Sequence, residues 1–115
     1  MTNISLQGPF TLSASTIESM VPEVSFGGYV LGFQGVGNHM TVRFVGRSVS
    51  SLRGRLHEHE RENIYGDFGY QVCESALEAY MLECRLYHEF ASEDIDNEIH
   101  PVGISLLDTC PVCGG

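Results

Sequence analysis

Two runs of β-branched and aromatic residues, at positions 26–33 and 40–45, lie on either side of a loop that holds two glycines and an asparagine at positions 35–38. Consecutive strands joined by a glycine-containing loop of this kind pair with each other in antiparallel fashion. The pattern therefore predicts a β-hairpin with a moderately long loop, and this hairpin is the frame on which the rest of the chain must pack.

The segments after the hairpin alternate between helix and strand patterns. A helix fits residues 51–62, residues 67–73 alternate enough to form a third strand, and a stronger helix spans residues 75–90. Ser75 and Glu78 form a capping-box pair at the start of this last helix. The order β-β-α-β-α predicts an α/β (α+β) fold in which helices flank a small, mostly antiparallel three-stranded sheet.

A chain of 115 residues is long enough for one domain with a modest core and too short for two. The central domain is expected at residues 26–98. Residues 1–25 are expected to form an extension that packs on this domain, with a short helix that opens at Ser15 and Glu18. Residues 99–115 are expected to form an irregular tail that ends in the motif CPVC and two glycines.

The composition narrows the class of protein. A hydrophobic fraction of 43% and a mean hydropathy of −0.02 are typical of a globular chain. No apolar run is long enough to cross a membrane, and the first ten residues carry neither a basic patch nor an apolar run. A cytoplasmic location is therefore expected, where cysteines serve packing or metal binding more often than disulfides.

The chain has no lysine, and five of its six arginines lie between residues 43 and 61. This stretch holds only two acids, Glu58 and Glu60, whereas the chain as a whole has a net charge of −9. Arginine is suited to forked contacts with phosphate or carboxylate groups. An acidic exterior argues against non-specific DNA binding by the whole surface, so any contact with nucleic acid is expected to be local.

The helix at 75–90 places a carboxylate on its apolar side. When these residues are wound at about 100° per residue, Glu83 falls near the centre of the apolar arc. An unpaired buried carboxylate must be protonated or find a cation. Arg55 and His59, one turn apart, lie at the edge of the inner face of the helix at 51–62. These side chains form either a structural Arg55–Glu83 ion pair or a phosphate and metal site.

Six short features occur in a fixed order along the hairpin and these two helices. They are Gly27-Gly28-Tyr29, Phe44-Val45-Gly46, Arg55, His59, Glu83 and Asn97. Together they resemble the signatures of the GIY-YIG nuclease superfamily, and the resemblance covers residues 26–98 as a GIY-YIG-like nuclease domain. The chain departs from the family pattern in a longer loop between the signatures, in Gly28 where a β-branched residue is usual, and in Phe44 where the family has a tyrosine.

The resemblance implies a divalent-metal-dependent endonuclease that hydrolyses phosphodiester bonds of nucleic acids. In such an enzyme Glu83 would hold Mg²⁺ or Mn²⁺, and Arg55 would neutralise charge on the phosphoryl oxygens. Tyr29 or His59 would activate the attacking water.

Substrate contacts are expected from Arg43, Arg47 and Asn97. Nucleic acid is the expected partner, with DNA favoured over RNA. Members of the superfamily usually carry specificity in additional domains, and this chain has almost none. Either the substrate is structurally simple, or a homodimer or a partner protein supplies recognition.

Phe44 leaves a second function open, because a phenylalanine can carry no proton. A displaced hydroxyl, such as that of Tyr65 or Tyr70, could serve in place of the missing tyrosine. The alternative is a catalytically inactive GIY-YIG-like module that binds nucleic acid or a protein and has a zinc-binding tail.

The tail motif brings Cys110 and Cys113 into a C-x2-C turn, which is half of a zinc knuckle. Two thiolates do not fill a tetrahedral site, so His100 could be a third ligand, and a water or a second chain could complete the set. The alternatives are a tail without metal and a redox pair. Cys73 and Cys84 are expected to be core thiols.

Overall fold

The computed structural model describes residues 4–37, 39–97, 100–103 and 109–112. Within these ranges the chain forms four strands, three α-helices and one 3₁₀ turn. The strands are β1 (Gln7–Thr11), β2 (Gly27–Gln34), β3 (Met40–Ser48) and β4 (Asp67–Val72). The helices are α1 (Ala14–Met20), α2 (Leu52–Glu62) and α3 (Ala76–Phe90), and the 3₁₀ turn Ala91–Glu93 follows α3.

The strands form one antiparallel sheet in the order β1-β4-β2-β3. The predicted hairpin is β2 and β3, and the predicted α+β fold class is confirmed, with one strand more than the predicted three. The additional strand, β1, pairs with β4 at the edge of the sheet, where Phe10 lies opposite Phe68. Its sequence, QGPFT, escapes prediction because it contains a glycine and a proline and lacks the alternation of apolar and polar residues that marks a strand.

Serine side chains set where the helices begin. The Ser75 hydroxyl accepts a hydrogen bond from the Glu78 amide at 3.0 Å, so the predicted start of α3 is confirmed. In α1 the cap is Ser13, whose hydroxyl accepts from the Thr16 amide at 3.3 Å. The prediction of a start at Ser15 is wrong by two residues, because several serines and threonines in this segment can cap a helix and the sequence alone does not rank them.

The sheet separates two cores. The face toward α1 and α2 carries the cluster Leu12, Ile17, Val21, Tyr29, Leu31, Leu52, Leu56, Phe68 and Tyr70. The face toward α3 carries Val30, Val42, Val45, Cys73, Ala79, Leu82 and Leu86. Successive side chains of β2 alternate between the two clusters, as the pleat of a strand requires. Tyr29 therefore lies on the α2 side of the sheet.

Helix α3 approaches the sheet most closely at Gly28. A Cβ atom at this position would lie 2.5 Å from Cδ2 of Leu82. Leu82 thus fills the space that a β-branched side chain in the first signature would need, which gives a packing reason for the departure at Gly28.

The first 25 residues, expected to pack on the domain, supply β1 and α1. Arg53 joins α1 to α2, since its guanidinium donates to the Val21 carbonyl at 2.6 Å and the Glu18 carbonyl at 2.9 Å, and also reaches the Glu23 carboxylate at 3.0 Å. One arginine of the cluster is therefore used to hold the fold together. None of the helices in the described ranges is long and apolar enough to cross a membrane.

The segment after α3 covers β3, the other edge strand. The Asp96 amide donates to the Arg43 carbonyl at 2.5 Å, and the Asn97 side chain exchanges two hydrogen bonds of 2.9 Å with the backbone of Val45. Further along, Cys110 is buried against Tyr80 and Cys84 in a third apolar cluster. The tail thus packs on a side of α3 that is turned away from the sheet.

Candidate active site

A cleft of about 350 Å³ opens at the β3 edge of the sheet. Its lining includes Tyr29 from β2, Arg47 from β3, Arg55 from α2 and Glu83 from α3. Asn97 and the tail residues 100–102 complete the wall. These four residues come from four different elements of the chain. They therefore meet at one surface opening.

Tyr29 reaches this cleft because Gly46 makes room for it. The two residues lie opposite each other in the β2–β3 register, and a Cβ atom on Gly46 would lie 2.4 Å from Cζ of Tyr29. The Tyr29 ring is fully buried. The glycine of the second signature thus has a steric role, which is to let the phenol lie across β3.

His59 and Glu62 extend a hydrogen-bonded chain from the Tyr29 hydroxyl. His59 Nε2 lies 2.8 Å from the hydroxyl oxygen, and His59 Nδ1 lies 3.0 Å from a Glu62 carboxylate oxygen. Burial lowers the pKa of His59, so the ring is neutral near pH 7. We assign the Nδ1 proton to the bond with Glu62, because a carboxylate only accepts. Nε2 then accepts the hydrogen bond that the Tyr29 hydroxyl donates.

Arg55 approaches the same phenol from α2. Its Nη2 donates to the Tyr29 oxygen at 3.4 Å, and its Nη1 pairs with Glu58 at 3.4 Å. Burial raises the pKa of Tyr29 to about 12, although the Arg55 charge acts in the opposite direction. The neutral phenol is therefore the resting form, and Arg55 is the cation placed to stabilise charge on its oxygen.

Glu83 faces the cleft from α3 and pairs with Arg47, at 3.3 Å between Oε1 and Nη1. The Glu83 side chain is 15% exposed, and its burial raises its pKa despite the neighbouring guanidinium groups of Arg47 and Arg55. Arg47 is held in turn by a hydrogen bond to the Val102 carbonyl and lies over the Tyr80 ring, 5.2 Å from its centre. The structure thus places Arg47 in the ion pair with Glu83, rather than Arg55 as in the first of the two alternatives left open by the sequence.

Two other predicted substrate contacts are engaged with the protein. Arg43 pairs with Asp96 at 3.2 Å. Asn97 lines the cleft, but both ends of its amide are bonded to the Val45 backbone. This geometry gives Asn97 the role of fixing the segment after α3 to the edge strand.

Phe44 also lines the cleft and contacts the rings of His59, at 5.3 Å between centres, and Tyr65, at 6.2 Å. The two hydroxyls considered as substitutes for the missing tyrosine are bonded elsewhere. The Tyr65 hydroxyl donates to Asp96 at 2.6 Å, and the Tyr70 hydroxyl donates to the Met20 carbonyl at 2.7 Å. Among the hydroxyls considered from the sequence, Tyr29 is the one that lines the cleft.

A second group of polar side chains lies on the tail side of α3. Ligand atoms of Cys84, His100 and Cys110 lie within 4.8 Å of one another, so these residues could hold a metal ion. Cys84 and Cys110 are buried free thiols, and burial raises the pKa of Cys84 to about 12. His100 was a predicted ligand, and Cys113 lies outside the described residues. Cys84 was predicted to be a core thiol, because nothing in its local sequence shows that the tail returns to it.

Comparisons of the chain with protein-family models, curated protein sequences and solved structures found no match. The resemblance to GIY-YIG nucleases therefore depends only on the residues quoted above for it.

Proposed function

We propose that the protein is a divalent-metal-dependent endonuclease of the GIY-YIG type, which hydrolyses phosphodiester bonds of nucleic acids. The observation that carries this proposal is the meeting of Tyr29, Arg55 and Glu83 in one cleft, from three different elements. Hydrolysis of a phosphodiester requires activation of water, neutralisation of phosphoryl charge and support for the leaving oxygen. The three residues offer one group for each task.

Two guanidinium groups provide the phosphate contacts in this proposal. The Arg55 side chain is 42% exposed and lies at the cleft, so it can meet a non-bridging oxygen while it keeps its contact with Tyr29. Arg47 is more buried and is held by Glu83 and by the tail. Arg55 is therefore the group that stabilises charge as it builds up on the phosphoryl oxygens.

The proton from the attacking water leaves through Tyr29. With a pKa of about 12, the phenolate costs about 3 kcal/mol more than at an exposed tyrosine, so Tyr29 is a poor base on its own. The hydrogen bond to His59 Nε2 allows the phenolic proton to leave as the new proton arrives, so that no free phenolate forms. The Tyr29 oxygen takes the proton of the water while the phenolic proton passes to Nε2, and Glu62 stabilises the imidazolium that results.

The Glu83 carboxylate suits a hydrated divalent cation. It faces the cleft and pairs with Arg47 at 3.3 Å, in an ion pair whose Arg47 nitrogen makes no hydrogen bond within the described ranges. A single carboxylate of this kind fits Mg²⁺ or Mn²⁺, which keep several waters and complete their shell with substrate oxygens. When bound, such an ion would polarise the scissile phosphate and stabilise the leaving oxygen.

The tail site differs in its donors, and we propose zinc as its ion, since thiolate and imidazole are the usual ligands of Zn²⁺. Free thiols at Cys73, Cys84 and Cys110 support a reducing compartment, for which we propose the cytoplasm. Nucleic acid, with DNA favoured over RNA, is the proposed partner. A homodimer or a second protein is proposed to supply recognition, because four of the six arginines are in ion pairs with acids of the same chain.

Phe44 supports a second candidate function, a catalytically inactive module of the same fold that binds nucleic acid or a protein. It occupies the cleft beside His59 and provides no hydroxyl there. In this case Arg55 would bind phosphate, and the cleft would not catalyse hydrolysis.

A plasmid-nicking assay separates the two functions. Supercoiled plasmid is incubated with the protein in Mg²⁺, in Mn²⁺ and in EDTA, and binding of the same DNA is measured in parallel. The nuclease proposal expects nicked circles that depend on the divalent ion and whose rate of formation falls roughly 100-fold in Arg55→Ala, while Arg61→Ala, on the exposed side of the same helix, keeps activity. Binding without nicking in every metal favours the inactive module, and neither binding nor nicking contradicts both.

A further inference from the structure

The tail is joined to α3 at a point where three metal-binding side chains converge. Cys84 projects from the middle of α3, and His100 and Cys110 come from two separate parts of the tail. All three ligand atoms lie within 4.8 Å of one another, and both thiols are almost completely buried. Sulfur and nitrogen ligands around one tetrahedral Zn²⁺ lie roughly 3.5–3.8 Å apart, so small side-chain shifts would bring all three to one centre.

The donors themselves select the class of ion. Two thiols and an imidazole are soft or borderline ligands, which favour Zn²⁺ over the hard ions Mg²⁺ and Ca²⁺. Both thiols are buried, whereas reactive cysteines are usually partly exposed. A structural ion therefore explains why two thiols and a histidine lie together at this place better than a redox role does.

The ring of His100 is oriented by a second contact. Its Nδ1 lies 2.7 Å from the Pro101 carbonyl, which only accepts, so Nδ1 donates and the lone pair is on Nε2, now 3.1 Å from Nε2 of His88. An ion would take the Nε2 lone pair, while the Nδ1 bond to Pro101 fixes the orientation of the ring. Metal-bound histidines in proteins are almost always oriented in this way by a second contact.

We propose that Cys84, His100 and Cys110 bind one structural Zn²⁺, and that this ion holds the tail in place as a wall of the cleft. Two thiolates and an imidazole supply three of the four ligands of a tetrahedral site, and a water can take the fourth position. Binding releases the protons of the thiols, which become thiolates.

The position of the tail connects this ion to the cleft. His100, Pro101 and Val102 line the cleft, and the Val102 carbonyl accepts a hydrogen bond from Arg47, the partner of Glu83. An ion that fixes His100 therefore fixes the wall beside the Glu83–Arg47 pair. The proposal of this metal site does not depend on the proposed nuclease function.

The test measures zinc in the full-length chain, purified without chelators, by mass spectrometry of the metal. The proposal expects about one zinc per chain in the native protein and in Cys73→Ser, which removes a buried free thiol outside the group. Cys84→Ser and Cys110→Ser are expected to lose at least nine-tenths of the zinc. Circular dichroism of each variant checks that the helices are retained.

A second measurement keeps the test independent of whether a variant folds well. Hydrogen exchange of peptides from residues 100–112 is followed while zinc is removed from the native protein by a chelator. The proposal expects faster exchange in the tail and unchanged exchange in β2 and β4. Native protein that contains no zinc and takes up none on titration overturns the proposal, as does Cys84→Ser with its full zinc content. If the native protein binds zinc but never nicks DNA, the zinc proposal stands and the nuclease proposal fails. Zinc retained in a Glu83→Gln protein that does not nick shows that the two sites are independent.

Discussion

Glu83 and Cys84 are consecutive residues of α3, yet they face two different chemical environments. Glu83 points into an open cleft, beside the guanidinium of Arg47 and close to that of Arg55. Cys84 is fully buried on the tail side, beside a second thiol and an imidazole. Because successive residues of a helix are turned by about 100°, one helix can supply both sites without mixing their ligands.

In the two proposals above, these environments would serve two kinds of metal chemistry. A hydrated hard cation needs access to solvent and substrate, which the Glu83 carboxylate at the cleft would allow. A structural ion needs soft ligands shielded from solvent, which the tail side of α3 would supply. The two environments meet at His100, which lines the cleft and also belongs to the tail group.

The largest expected effect comes from Glu83→Gln, which removes the negative charge and keeps the shape. Nicking is expected to fall to the background level, and zinc content is expected to stay at the native value. The folded state raises the pKa of Glu83, so it favours the protonated form, and stability is lost as pH rises through that pKa. The neutral variant is therefore expected to melt no lower than the native protein at pH 7, as measured by calorimetry.

The next largest effect is expected from a comparison of alanine variants of two arginines of α2. Arg55→Ala is expected to reduce nicking by roughly 100-fold with little loss of stability, because its side chain serves the cleft. Arg53→Ala is expected to do the opposite and to lower the free energy of unfolding by about 2 kcal/mol, because it removes the bonds to Val21 and Glu18. Urea titration and initial nicking rates measure the two effects. Equal losses of activity in both variants would contradict the division of roles.

A steric change at Gly46 should affect the cleft and the stability of the fold, but not the tail site. The added methyl group of Gly46→Ala would meet the Tyr29 ring, and the resulting overpacking is expected to cost about 1–3 kcal/mol. Displacement of Tyr29 should also lower nicking while zinc content is unchanged. Gly35→Ala is the matched control, since its nearest neighbour would lie 3.6 Å away. Native-like activity in Gly46→Ala would show that Tyr29 is not needed where the structure places it.

The smallest effect is on the pH dependence of kcat/KM for nicking. Glu83 must be ionised to hold a cation, and its raised pKa makes it protonate at a higher pH than an ordinary glutamate. His59 must be neutral to accept a proton, and its lowered pKa keeps it neutral to a lower pH than an ordinary histidine. The acid limb is therefore expected above about 4.3, the ordinary value of a glutamate, because the raised pKa of Glu83 moves it upward. An acid limb at or below that value would assign it to another group.

The sequence was sufficient for the parts of the fold that local patterns specify. The hairpin, α2, α3 and the cap at Ser75 follow from periodicity and from turn and cap residues. β1 could not be predicted, because its strand character comes from pairing with β4 and not from its own residues. Edge strands are commonly short and polar, and their partners are invisible in a linear sequence.

The same limit applies to the sites. The helical wheel placed Glu83 and Arg55 on inward faces, and both residues line the cleft. It could not show that Arg47, from a strand, would lie between them as the partner of Glu83. Cys84 shows the limit most clearly, because its closeness to Cys110 depends on the return of a tail 26 positions later in the chain. Long-range contacts of this kind leave no periodic trace.

The most direct test of the central claim is the nicking of supercoiled plasmid by zinc-replete protein as Mg²⁺ is titrated. Native protein, Glu83→Gln and Glu89→Gln are compared, the last being an exposed carboxylate of the same helix. We predict Mg²⁺-dependent nicked circles from the native protein and from Glu89→Gln, and background levels from Glu83→Gln at every concentration. Nicking that is equal in all three proteins, or that persists in EDTA, would contradict the assignment of the cleft as the nuclease site.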